Sequence, residues 1–333
     1  MDKKQVFLSL LKGEAPRERV FFRPILMHFA ARFNNTTYGE FASDYKTLVD
    51  CNIKAMEHFD TDMVSLISDP YRETSAFGAP IEFIDEGVPR CLELIVKSED
   101  DVLQLPDPDV YKCERTMDRI KGAAMFQQLL KGTVPVGGWI EGPLAEACDL
   151  AGVDTMLIRV MTDPDFTNRL MDKCLVLAKK FAKAQVDAGC DLIGIGDAIC
   201  SQIDRETYDL FVRDRHAELI SYIHECGVPV KLHICGNINH LLESIRTIDT
   251  DIIDLDSHVE IGMARKILGN DILLGGNINP VLVQDKSAEE VYDMSKVLVD
   301  NYKNQKFLLA AGCEITVLTP HENLMAMRKA SYL

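Results

Sequence analysis

The residues of this chain whose types and spacing can do chemistry together are His233, Cys235 and Cys313. His233-Ile234-Cys235 closes an apolar run, and side chains two apart on a strand leave from the same face, so imidazole and thiolate can converge on one ion. Cys313 follows a second apolar run, in Leu308-Leu309-Ala310-Ala311-Gly312-Cys313-Glu314. One nitrogen and two sulfurs are a zinc donor set. Three protein ligands leave the fourth place to water or substrate, as in catalytic rather than structural zinc sites. Sulfur donors without a carboxylate cluster favour zinc over magnesium, calcium or manganese. A lone His-x-Cys also suits two ordinary core residues, so the elements that carry it must decide.

Eight short apolar runs stand between helix-length segments, at 24–28, 62–67, 134–140, 191–195, 229–234, 251–255, 271–275 and 306–310. Segments 164–188, 205–226, 264–268 and 287–304 repeat apolar residues at helical spacing with polar opposite faces. Alternating strand and helix implies a parallel sheet, and eight units imply a closed (β/α)₈ barrel. No linker or low-complexity tract divides the chain, so 1–333 reads as a single domain with a short N-terminal helical addition. Segment 79–96 breaks the alternation. It reads as a β-hairpin inserted after the second strand, with arms at 80–84 and 91–96 joined through Gly87, placed to roof a pocket.

In such barrels chemistry sits at the C-terminal strand ends. Those ends carry His28, Asp69, Glu141, Asp197, His233 with Cys235, Asp256, Asn277, and Cys313 with Glu314. The three metal-ligand candidates thus fall after the fifth and eighth strands of one barrel and can meet over its axis. Asp256 is expected either as a fourth ligand without substrate or as a carboxylate orienting His233, with Glu260 the weaker choice. Asp197 is expected to accept a substrate proton or to support the ligands, a solvated loop carboxylate being the bland alternative. Asn277 suits a turn, His28 a cap or core position, and His216, His224 and His240 packing or surface positions on helices. Trp139, the single tryptophan, suits packing at the top of the third strand, with lining of the substrate cavity the lesser alternative.

The net charge of −16 would repel a phosphate backbone, and no cluster of Lys and Arg compensates, so nucleic acid is not an expected partner. The N-terminus turns polar too soon for a signal peptide, and no apolar run reaches membrane-spanning length. Ten cysteines, most of them single in apolar stretches, read as reduced thiols of a cytoplasmic protein rather than a disulfide framework. Gly194-Ile195-Gly196-Asp197 lacks the third glycine of a dinucleotide fingerprint, and Gly275-Gly276-Asn277-Ile278 lacks the Lys and Ser/Thr of a phosphate loop.

Four stretches carry a family resemblance: Trp139-Ile140-Glu141-Gly142-Pro143-Leu144-Ala145-Glu146-Ala147, Gly194-Ile195-Gly196-Asp197, Lys231-Leu232-His233-Ile234-Cys235-Gly236-Asn237, and Gly312-Cys313-Glu314-Ile315 followed by Thr319-Pro320-His321-Glu322-Asn323-Leu324. Over nearly its whole length the chain resembles the uroporphyrinogen decarboxylase superfamily and, within it, the zinc-dependent, corrinoid-linked methyltransferases. The resemblance implies a (β/α)₈ barrel with zinc on His233, Cys235 and Cys313. It also implies a corrinoid (methylcobalamin or Co(I) cobalamin) presented by a partner protein, and a small-molecule methyl donor or acceptor such as a methoxylated or methylated compound, a thiol or a folate. Of the Arg-rich N-terminal segment of true decarboxylases only Arg23 and Arg32 remain, which argues against a multiply anionic tetrapyrrole. Two alternatives stay open: tetrapyrrole decarboxylation, and a non-catalytic module that docks on a corrinoid protein.

Overall fold

The computed structural model describes residues 1–14 and 18–333. Its strands are β1 (Phe21–Phe22), β2 (Val64–Ser65), β3 (Ile81–Ile84), β4 (Gly87–Cys91), β5 (Val136–Glu141), β6 (Leu192–Gly196), β7 (Val230–His233), β8 (Ile252–Asp254), β9 (Leu273–Ile278) and β10 (Phe307–Ala311). Eight of them form one parallel sheet in the order β1-β10-β9-β8-β7-β6-β5-β2, with helices between successive strands. This is the (β/α)₈ barrel expected from the alternation. Between β1 and β2 the seam is closed by Asp62, whose N–H donates to Phe22 O (2.9 Å) and whose Oδ2 accepts from Phe22 N (2.8 Å). That carboxylate is fully buried and is ion-paired with Arg19 and, at 3.5 Å, with Arg328.

Alternation along the strands divides the core into two. Inward side chains at the lower end of the barrel, among them Phe21, Met63, Leu192, Ile252, Leu273 and Leu308, form a small cluster with Phe7 and Leu10. Those two come from the helix Lys3–Leu11, which Asp2 caps through its hydrogen bond from Gln5 N (2.8 Å). The N-terminal addition therefore plugs the barrel bottom, and the opposite end carries the site. Outward side chains such as Val230, Leu232 and Ile253 join the larger core beneath the helices.

Element bounds moved in places. The first strand is Phe21–Phe22 rather than 24–28: Pro24 has no N–H to give a ladder, and His28 opens the helix His28–Phe33. Segment 205–226 is two helices, Arg205–Phe211 and Arg213–Glu225, separated at Val212. The inserted hairpin exists, but its second arm is Gly87–Cys91, so Gly87 starts that strand and 92–96 leave it. Its turn lies against the helix Tyr38–Ser43, where Tyr38 N donates to Asp85 O (2.7 Å). No helix among the described residues is long and apolar enough to cross a membrane.

Candidate metal centre and substrate cavity

His233 ends β7, and Cys235 lies two residues on; Cys313 follows β10 across the barrel mouth. Their ligand atoms converge: His233 Nε2 to Cys235 Sγ is 3.1 Å, Cys235 Sγ to Cys313 Sγ 3.8 Å, and Cys313 Sγ to His233 Nε2 3.9 Å. Tetrahedral zinc with its usual bond lengths separates two sulfurs by about 3.8 Å and sulfur from nitrogen by about 3.6 Å. The triangle is of that size, so the donor set fits zinc. The two thiols lie in contact with each other. That contact holds the Cys313 thiol below the ordinary range and pushes Cys235 up.

Behind His233 lies a buried ionic network that the sequence reading missed. β7 pairs with β8 so that His233 stands beside Asp254, whose Oδ2 is 3.8 Å from His233 Nδ1. Asp254 is in turn gripped by Arg23 and by Lys231 Nζ (2.9 Å). Burial raises the Asp254 pKa, but Arg23, Lys231 and His233 outweigh it and hold the carboxyl below its usual range. Burial, reinforced by Arg23, pulls Lys231 down to about 8. Asp254 is the carboxylate that faces His233 Nδ1, a ring nitrogen with no hydrogen-bond partner.

Asp256 is not so placed, which corrects the sequence expectation. The strand ends at Asp254, two residues earlier than Asp256. The Asp256 oxygens accept from Gly236 N (2.9 Å), His258 N (3.0 Å) and His258 Nδ1 (2.7 Å). They pin the loop that carries Cys235 and stand outside the ligand cluster. Glu260 likewise caps its own helix, accepting from Gly262 N and Met263 N. Asp197 also differs from expectation. It is fully buried, and it accepts from Leu144 N (3.3 Å), Ala145 N (2.8 Å) and the His216 ring (3.0 Å). It secures the helix that follows β5 and does not border the cavity. Asp197, Cys200 and His216 form a second close grouping, but both His216 nitrogens are engaged, the other by the Tyr208 hydroxyl at 3.1 Å.

A cavity of about 170 Å³ opens above the three ligands. Ile25, Met27, Ile67 and Trp139 are among its apolar walls, and Asp69, Glu141 and Glu314 contribute carboxyls. Trp139 thus lines the cavity as well as packing. A Cβ on Gly194 or Gly196 would come within 2.6 or 2.5 Å of the indole, so the two glycines of β6 are what let it lie flat there. Its Nε1 donates to Glu141 Oε1 (3.0 Å), which also accepts from Arg72 Nη2 (2.8 Å). Asp69 is bound by Ser68 Oγ (2.6 Å) and Arg115 Nη2 (2.5 Å). Burial works against that carboxylate, yet Arg115 and Arg72 keep its pKa well below normal. Burial pushes Glu314 up to about 7, against the pull of hydrogen bonds from His28 N and Met27 N. His28 itself stacks on Tyr38 (4.9 Å between ring centres) and stands 3.6 Å from Glu86 at the hairpin turn. The hairpin's Phe83 lies under the Arg115 guanidinium at 4.8 Å, which sets the insertion against the residue that holds Asp69, but none of the hairpin's own residues lines the cavity. Asn277, within β9, donates to Asp256 O and Val259 O and builds the adjacent loop.

Fold and site together define a (β/α)₈-barrel protein with a His/Cys/Cys cluster at the C-terminal strand ends, the usual place for catalysis in barrel enzymes. Residues 2–332 match the family Uroporphyrinogen decarboxylase (URO-D), and the chain belongs to that family. It is 26% identical over 314 residues to a uroporphyrinogen decarboxylase of Geobacter sulfurreducens, covering 91% of this chain and 89% of that one. It is 30% identical over 200 residues to a methylcobamide:CoM methyltransferase of Methanosarcina barkeri, covering 58% of this chain and 57% of the relative. Among solved structures, a methyltransferase from Methanosarcina mazei superimposes with a TM-score of 0.90 over 99% of this chain and 98% of its own, at 20% identity. That likeness establishes the shared fold.

Proposed function

We propose that the protein is a zinc-dependent methyltransferase that moves a methyl group between a corrinoid carried by a partner protein and a small substrate. The observation that carries this reading is the His233, Cys235 and Cys313 triangle, of zinc-site dimensions, at the floor of an open cavity. Zinc held there supplies a Lewis-acidic position that lowers the pKa of a bound thiol or polarises the heteroatom of a methyl donor. The chain's own residues do the rest. Asp254, clamped by Arg23 and Lys231, sets the His233 ring. Asp256 fixes the loop bearing Cys235, while Trp139 and the aliphatic walls exclude water from the transferring carbon. The hairpin β3–β4 borders the mouth, where a carrier protein would dock.

The rival reading is tetrapyrrole decarboxylation, favoured by identity to named decarboxylases along most of the chain. Against it, a cavity of about 170 Å³ is small for a tetrapyrrole, Arg23 is committed to Asp254 beneath the site, and Arg32 is exposed on the helix His28–Phe33. Metal analysis and a methyl-exchange assay separate the two. The expected result is one zinc per chain and methyl exchange that is faster with a protein-bound corrinoid than with free methylcobalamin, because docking supplies orientation. A zinc-free protein that releases carbon dioxide from uroporphyrinogen and exchanges no methyl with any corrinoid would sink the proposal.

A further inference from the structure

Resting on the methyl-transfer reading, we infer that this cavity selects a small substrate whose part beyond the reacting atom is uncharged or cationic, and that it excludes substrates bearing a sulfonate or carboxylate. Among the described residues that line the cavity none is Lys or Arg, whereas Asp69, Glu141 and Glu314 are carboxyl-bearing. The nearest cations are all committed and have no room to swing inward. Arg115 is 6% exposed and holds Asp69 and the Ala42 carbonyl. Arg72 is fully buried against Glu141, and Lys231, 5% exposed, lies between Asp254 and the face of Trp139.

The metal centre adds no surplus of positive charge, because two thiolates balance one Zn²⁺. Behind Glu141, Glu73 shares the same Arg72 and Glu146 is held by Thr74, with one oxygen of each left without a hydrogen-bond partner. An anionic head group entering here would give up its water and find no cation free to pair with it. Burying an unpaired charge is among the costliest things a site can do. A neutral group carries no such penalty, and a cation finds carboxyls in the lining to pair with.

Three thiols of equal reach test this: cysteamine, 2-mercaptoethanol and 2-mercaptoethanesulfonate, titrated into the full chain loaded with Co(II) in place of zinc. Sulfur-to-cobalt charge-transfer absorption reports binding without any turnover. The expected result is a Kd for the sulfonate at least about tenfold weaker than for 2-mercaptoethanol, a difference of about 1.4 kcal/mol, with cysteamine no weaker than 2-mercaptoethanol. A sulfonate that binds as tightly as 2-mercaptoethanol overturns the inference and leaves methyl transfer standing. Absence of a thiol-dependent band with all three overturns the thiol-accepting metal centre itself, and the inference with it.

Discussion

Cys235 and Cys313 supply the two sulfurs, and serine in either place replaces a soft thiolate with a poor zinc ligand. Cys313→Ser and Cys235→Ser should each lose the metal, read as zinc per chain, while circular dichroism stays that of the folded barrel, because the ligands are at the mouth and not in the two cores. Retention of full zinc by Cys313→Ser would show that the ligand set is different. The carboxylates beside the site are expected to separate sharply. Asp254→Asn should weaken zinc binding by ~10- to 100-fold, as is usual for a partner that orients a metal-bound imidazole. Asp256→Asn, which touches backbone N–H groups and His258 but none of the ligand atoms, should change it less. Chelator competition on both variants decides the order, with urea unfolding as the control, since Asp254→Asn also leaves Arg23 and Lys231 short of a partner. Equal losses would return the orienting role to Asp256.

The helix Tyr71–Ala76, β5 and the helix Pro143–Ala151 meet where they bring together the buried acids Glu73, Glu141 and Glu146 and the half-buried Asp149. Burial, and then the mutual repulsion of these groups, raises the Glu146 and Asp149 pKa values well above normal; burial raises Glu73 and Glu141 as well, against the pull of Arg72. A carboxyl with a raised folded-state pKa makes the folded form bind protons more tightly than the unfolded chain. Its contribution is fully present below the unfolded value and is lost as pH rises through the folded one. Asp69 and Asp254, with lowered values, act the other way and matter only in acid, below about pH 4. The urea midpoint should therefore fall as pH is raised from about 5 to about 8. Glu146→Gln, which keeps an acceptor for Thr74, should flatten that slope; a wild-type midpoint that rises over this range would contradict the argument. The same junction explains Gly142. A Cβ there would stand 2.3 Å from Asp197 Oδ2, so Gly142→Ala should cost about 1–3 kcal/mol of stability in urea titrations through overpacking.

Over the whole barrel the weakest point of the sheet is between β1 and β2, two residues each, where Asp62 substitutes for a ladder. Asp62→Ala would free Phe22 N and leave Arg19 and Arg328 without their common anion. A loss of about 3–5 kcal/mol is expected for removing one partner of a buried ion pair, measured by urea or thermal unfolding. A change under about 1 kcal/mol, the range of a surface pair, would mean that the seam is held elsewhere.

The periodicities were legible in the sequence because they depend on nearest neighbours: eight apolar runs between amphipathic segments led to the barrel, and the parity of His233 and Cys235 with a later Cys313 led to the metal centre. Strand-end placement explains the misses. It put the end of the sixth strand at 255 and so pointed to Asp256, two residues past the end of β8, and passed over Asp254, which the β7–β8 register sets beside His233. Asp197 looked like a catalytic loop acid, but whether a carboxylate meets solvent or three donors depends on helices packed from elsewhere in the chain. The charge of the cavity was the least legible property. Arg23, Arg72, Arg115 and Lys231 are ordinary basic residues in the sequence, and only long-range pairing with Asp254, Glu141 and Asp69 removes them from the substrate's reach. Local order follows from the pattern of side chains along the chain, whereas the partner of a buried charge is settled by tertiary packing, where desolvation forces every ion to find one.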